Sequence, residues 1–161
     1  MNVAAMTRAK PSTAGAWILA TRPRTLVAGA VPVVVGSALA YRDRLFQWPV
    51  AMAALLGALC IQVGTNLTND YFDFKRGADS SDRQGPARAA SSGWLEARDV
   101  LAGAMISFAL ATVFGVYLVW VGGVAILAIG LASIVAGYCY TGGPYPLAYH
   151  GLGDVFVLAF F

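Results

Sequence analysis

Two stretches of this chain carry no Asp, Glu, Lys or Arg: residues 45 to 69 and residues 100 to 153. Each is at least as long as the run of about twenty apolar residues that an α-helix needs to cross the hydrocarbon core of a bilayer. Hydrophobic residues make up 58% of the chain and charged residues 12%, about half the charged share of a soluble domain. A soluble fold is therefore excluded. The expected fold class is all-α, a polytopic transmembrane helical bundle.

Spans are predicted over residues 25–41, 48–69, 100–121 and 124–140, preceded by a short interfacial helix over 14–20 that sets Trp17 at headgroup depth. Pro32 is expected to kink the first span. The pair Gly122-Gly123 divides the third from the fourth, and Ser133 with Gly137 has the spacing of a close helix contact. A further apolar run over 154–161 is too short to cross, so the chain reads as a fragment holding about four complete spans and the start of a fifth. Residues 1–13 are predicted as a disordered tail and 14–161 as the N-terminal part of a single membrane domain. No apolar stretch precedes Arg22 and Arg24, which argues against a cleaved secretory signal.

Orientation follows from the basic residues. With the N-terminus cytoplasmic, that side receives Arg8, Lys10, Arg22, Arg24, Lys75, Arg76, Arg83, Arg88 and Arg98, and the other side only Arg42 and Arg44. Nine of the 11 Lys and Arg residues thus lie inside. The hydrophilic loop over 74–99 and the Gly/Pro/Tyr-rich connector after Tyr140 then share the cytoplasmic face and can contribute to one site. The net charge of +3 sits beside apolar spans, so membrane lipid or an anionic substrate is the expected partner and nucleic acid is not. Nothing in the residues sets an oligomeric state.

The second span turns polar toward its end. At about 100° per residue, Gln62, Asn66, Asn69, Asp70 and Asp73 fall within an arc of roughly 100° on one helix face. Carboxylates and amides on an apolar helix are costly against lipid, so this stripe should face the bundle or a watery hollow. Asn69, Asp70 and Asp73 offer the oxygen ligands that suit Mg2+, which takes one or two carboxylates and fills its shell with water and phosphate oxygens. Lys75, Arg76, Arg83 and Arg88 follow at once and can pair with diphosphate oxygens. The plainer reading is that Asp70 and Asp73 end the helix and pair with Lys75 or Arg76. His150 is read as a hydrogen-bonded loop residue, Asp154 as a helix cap, and Cys60 and Cys139 as small apolar fillers. Tyr138, Tyr140, Tyr145 and Tyr149 suit either an aromatic belt or a pocket wall.

The segment NDYFDFKRG resembles the first acidic motif, NxxxDxxxD, of the UbiA superfamily of intramembrane prenyltransferases. Asn69 and Asp73 match its first two positions and Asp70 its common NDxxD form; Gly77 stands at the third, with Asp79 and Asp82 nearby as substitutes. The longer blocks NDYFDFKRGADSSDRQGPARAASSG and YTGGPYPLAYHGLGD, with RPRTL before the first span, resemble the branch that acts on 1,4-dihydroxy-2-naphthoate in menaquinone biosynthesis. The resemblance implies a bundle in the bacterial cell (inner) membrane with a second Asp-rich motif in another half. It implies Mg2+ as cofactor, a polyprenyl diphosphate that ionises to an allylic cation, and attack by the ring carbon of 1,4-dihydroxy-2-naphthoate with loss of carbon dioxide, giving demethylmenaquinone. Carried over residue by residue, Asn69, Asp70 and Asp73 hold the metal and Arg88 the diphosphate, with Lys75 and Arg76 as further candidates. Tyr140 and Thr141 line the site, and Arg22 meets the acceptor carboxylate. Other readings are a related transferase for 4-hydroxybenzoate, homogentisate or a sugar phosphate, a cation- or proton-coupled transporter, and a catalytically silent half-enzyme.

Overall fold

A computed structural model describes residues 11–77, 88–153, 155 and 158. Expectations placed on the tail over 1–10, on Asp79, Asp82 and Arg83, on Asp154 and on most of the last apolar run lie outside the described residues. Among the described residues the fold is all-helical: α1 Thr13–Ala20, α2 Pro23–Arg42, α3 Trp48–Lys75, α4 Ala97–Gly122 and α5 Val124–Cys139, then a 3-10 turn, Leu147–His150. Three helices, α2, α3 and α4, are long and apolar enough to cross a membrane, and the chain is a multi-pass membrane protein. The expected fourth span is a shorter apolar helix. At 16 residues α5 extends about 24 Å, because Gly123 fixes its start and Tyr140 caps its end just before the Thr141-Gly142-Gly143 turn.

Local chemistry sets the breaks. Ser12 caps α1, its hydroxyl accepting from the Gly15 amide at 3.2 Å, so α1 begins at Thr13, one residue before the predicted start. Between α1 and α2 the backbone of Arg22 is left-handed at φ 51, and Pro23, with φ already helical and no N–H to satisfy, opens the next helix. Pro32 lies within the continuous helix α2. Gly123, at φ 80, ends α4 in a backbone region that favours glycine.

Helix α3 is the central element, packing against α1, α2, α4 and α5. Its contact with α4 is close because Gly64 has no side chain: a Cβ there would stand 2.8 Å from Cε1 of Phe108. On α5, Gly137 faces Thr65 of α3 across a similarly tight approach, the role its spacing predicts. Ser133 instead turns its hydroxyl back to the Ile129 carbonyl at 2.8 Å.

The 28 residues of α3 span about 42 Å, roughly 12 Å more than the hydrocarbon core. The excess is about two helical turns, the length of the segment from Thr68 to Lys75. A hydrophobic cluster of small and branched residues gathers at this end: Ala20, Leu67, Ala89, Ala90, Val100 and Ala104 are buried, with Trp17, Tyr71 and Trp94 packed around them. Among the described residues the buried side chains thus concentrate at the polar end of α3, while α2 and α5 keep Val27, Val31, Val34, Ile129 and Leu131 exposed.

Candidate functional site

The polar stripe of α3 divides into two groups. Gln62 faces α2 at Gly29, and the Asn66 amide donates to the Thr21 carbonyl and the Thr25 hydroxyl, both at 2.9 Å. These two tie the α1–α2 break to α3. Arg22 lies in that break, near enough to act electrostatically on Asp70, which brings it to the same end of the bundle as the acids.

Further along α3, Asn69, Asp70 and Asp73 are buried and meet two returning segments. From the loop before α4, Arg88 forms an ion pair through Nη1 with Oδ2 of Asp73, and both side chains are more than nine-tenths buried. The same Nη1 donates to the Asn69 carbonyl at 2.6 Å. From the connector after α5, the Tyr149 hydroxyl donates to the other carboxylate oxygen of Asp73. The Thr141 hydroxyl donates to Oδ1 of Asn69 at 2.6 Å. One acid therefore gathers a base from one loop and a phenol from another, 15 and 76 residues further along the chain. The simpler expectation, pairing of Asp73 with Lys75 or Arg76, is not what the described residues form.

Asp70, expected as a metal ligand beside them, is turned to the loop. Its Oδ2 accepts the Ala89 amide at 2.9 Å and its Oδ1 the Ala90 amide at 3.3 Å. Arg76, a further candidate for diphosphate, is engaged here with the connector. Its guanidinium lies between the rings of Phe72 and Tyr149, 5.4 and 5.3 Å from their centres, and donates to the carbonyls of Thr141 and Gly143. It fastens the connector to α3. Lys75 is exposed, with its ammonium 5.9 Å from the Tyr71 ring centre. Tyr140 is half-buried, its carbonyl accepting the Ala148 amide at 2.9 Å. His150 stacks on Tyr145, and its Nδ1 lies 2.8 Å from the Pro146 carbonyl, the loop placement expected of it.

Tyr149 is the site residue that sequence reasoning did not single out. Burial first, and then the hydrogen bond and charge of Asp73, hold its phenol above the ordinary range, so it is a neutral donor at physiological pH. Its only signal was membership of a Tyr-rich connector; the 3-10 turn that aims it has no clear mark in the residues.

The fit to a divalent cation follows from the donor set. No group of three or more His, Cys, Asp or Glu side chains stands together among the described residues. What they offer is one carboxylate, Asp73, and one amide oxygen, Oδ1 of Asn69. Such a pair suits Mg2+, which keeps several waters and binds through one or two carboxylates and substrate phosphates. It would not suit a metal that needs a complete protein cage.

Fold and site together define a helical membrane protein with a buried acid–base pair, Asp73 with Arg88, at the polar end of its central helix. The UbiA prenyltransferase family profile matches residues 29–161, and the chain belongs to that family. It is 39% identical to the 1,4-dihydroxy-2-naphthoate octaprenyltransferase of Bacillus subtilis over 87% of this chain and 45% of the relative. The protein of the same name from Escherichia coli is 37% identical over 97% of this chain and 53% of its own length. The UbiA prenyltransferase domain-containing protein 1 of Rattus norvegicus is 30% identical, covering 90% of this chain and 43% of the relative. The chain thus spans about half the length of the curated relatives it matches. No solved structure matches it.

Proposed function

We propose that this chain supplies the first acidic half of the site of an enzyme that moves a polyprenyl group from its diphosphate to 1,4-dihydroxy-2-naphthoate, with loss of the carboxylate as carbon dioxide. The observation that carries the reading is the buried contact of Asp73 with Arg88, beside Asn69 and Thr141, at the polar end of an otherwise apolar helix. The similarity to two bacterial proteins named for that acceptor supports the choice of substrate.

In this reading Asn69 and Asp73 hold Mg2+, which when bound offsets the charge developing on the departing diphosphate. Arg88 moves its guanidinium from Asp73 to the phosphate oxygens, where a planar fork binds better than a point charge. Thr141 orients the Asn69 oxygen. Tyr149 keeps the carboxylate of Asp73 aimed at the connector. Arg22 is placed to meet the acceptor carboxylate. Tyr71, Tyr138 and Tyr140 line the route of an allylic cation, shielding it from water and stabilising it through their ring faces. The site opens to the cytoplasm, as the nine basic residues on that side argue.

The test uses membranes holding this chain alone and membranes holding it fused to the remaining half of the Bacillus subtilis relative. Each receives Mg2+, a polyprenyl diphosphate and 1,4-dihydroxy-2-naphthoate. Product is expected only from the fused protein, lost on chelation with EDTA and restored by Mg2+. Turnover by the short chain alone contradicts the half-site, and turnover of 4-hydroxybenzoate in preference to the naphthoate contradicts the acceptor.

A further inference from the structure

Two backbone amides, those of Ala89 and Ala90, point at the carboxylate of Asp70, and both immediately follow Arg88. Asp70 is 2% exposed, Ala89 0% and Ala90 5%, so these bonds are made out of water. There a charged acceptor is worth about twice a neutral one. The chain then turns back on itself: the Ser92 amide reaches the Arg88 carbonyl at 2.9 Å and the Trp94 amide the Ala89 carbonyl at 2.9 Å. The methyl groups of Ala89 and Ala90 fill the cluster with Leu67, Val100 and Ala104, which leaves the loop one seat. In that seat the Arg88 side chain reaches Asp73 and the Asn69 carbonyl.

We propose that Asp70 is the positioning residue for Arg88: its carboxylate clamps the loop at the two amides after Arg88 and so holds the guanidinium where diphosphate is bound. This rests on the site reading given above and changes the role of Asp70 within it, from metal ligand to loop clamp. The residue types explain why an aspartate stands there. Its two oxygens match two successive N–H groups, whereas Asp70→Asn would turn an NH2 donor against one of them and drop the charge. Asp70 and Asp73 share a face of α3 one turn apart, so one acid fixes the loop while its neighbour receives the side chain that the loop delivers.

The test uses the full 161-residue chain in detergent, with Mn2+ alone, inorganic pyrophosphate plus Mg2+, and hydrogen exchange as probes. In Asp70→Asn, the Ala89 and Ala90 amides are expected to exchange about tenfold faster or more, as loss of a charge-assisted bond implies. Pyrophosphate binding weakens about tenfold, while Mn2+ affinity stays within about twofold of the parent. In an Arg88→Ala background, Asp70→Asn has no further effect on pyrophosphate binding, because the clamp acts only through that arginine. Loss of Mn2+ binding in a folded Asp70→Asn makes Asp70 a ligand and overturns the clamp; so does unchanged amide exchange, or an equal further loss without Arg88. If Asp70→Asn fails to insert, Asp70→Ala, which removes both acceptor oxygens and the charge, carries the same three readings. Asp73→Ala reports separately on the site: Mn2+ binding undiminished by that change removes the proposed metal role, whatever the exchange at Ala89 and Ala90 shows.

Discussion

Asp73 holds the site together because two returning segments, the loop at Arg88 and the connector at Tyr149, both bond to its carboxylate. Removing its carboxylate takes a buried ion-pair partner from Arg88, a change that typically costs about 3–5 kcal/mol. Asp73→Ala in the fused enzyme is therefore expected to lower thermal stability as well as to reduce turnover by about a thousandfold, the scale of losing a principal electrostatic stabiliser. Membrane insertion should persist. Near-normal activity would remove Asp73 from the chemistry. Tyr149→Phe deletes one donor and keeps the ring. It should free the connector at a cost of about 1.5–3 kcal/mol, the worth of a hydrogen bond to a charged group, seen as faster proteolysis near residues 141–150 with the helices unchanged. Equal protease resistance would mean that the bonds from Arg76 to the Thr141 and Gly143 carbonyls and from Thr141 to Asn69 hold the connector without Tyr149.

At the scale of elements, the α3–α4 contact turns on one missing side chain. Gly64→Val places branched carbons where a Cβ already meets the Phe108 ring at 2.8 to 3.0 Å. Overpacking of this kind costs about 1–3 kcal/mol, and the loss should appear as a lower unfolding midpoint in detergent. Gly115→Ala, with nothing within 4 Å of its Cβ, is the control that should leave the midpoint in place. The helices themselves were legible in the residues. Charge-free runs gave α3 and α4, Pro23 and Gly123 punctuate the chain where expected, and the polar stripe named Asn69 and Asp73. Periodicity locates a face of a helix but not what comes to meet it. That Asp70 would receive loop amides, that Arg76 would bind carbonyls, and that Tyr149 would reach Asp73 depends on the return paths of two irregular segments, for which there is no period to read. The bounds of α5 agree with the expected 124–140 to one residue, Tyr140 being its C-cap.

For the molecule as a whole, the distribution of Lys and Arg predicts a polarity that labelling can check. Asp43 and Ser92 are exposed and lie on opposite sides of the predicted topology. A membrane-impermeant maleimide should label Asp43→Cys in intact cells and Ser92→Cys only after permeabilisation, in a background where Cys60 and Cys139 are replaced by alanine. The reverse pattern would place the site on the outer face and overturn the cytoplasmic reading.

The overhang of α3 has a consequence for how such a protein reaches its bilayer. Its last two turns carry Asp70 and Asp73, and at the edge of a bilayer a lone anion would face both poor hydration and repulsion from acidic lipids. Arg88 lies only 15 residues beyond Asp73, so the neutralising partner leaves the ribosome almost together with the group it neutralises. The helix can therefore settle with its charge already matched from within the same hairpin, before α5 or the connector has been made.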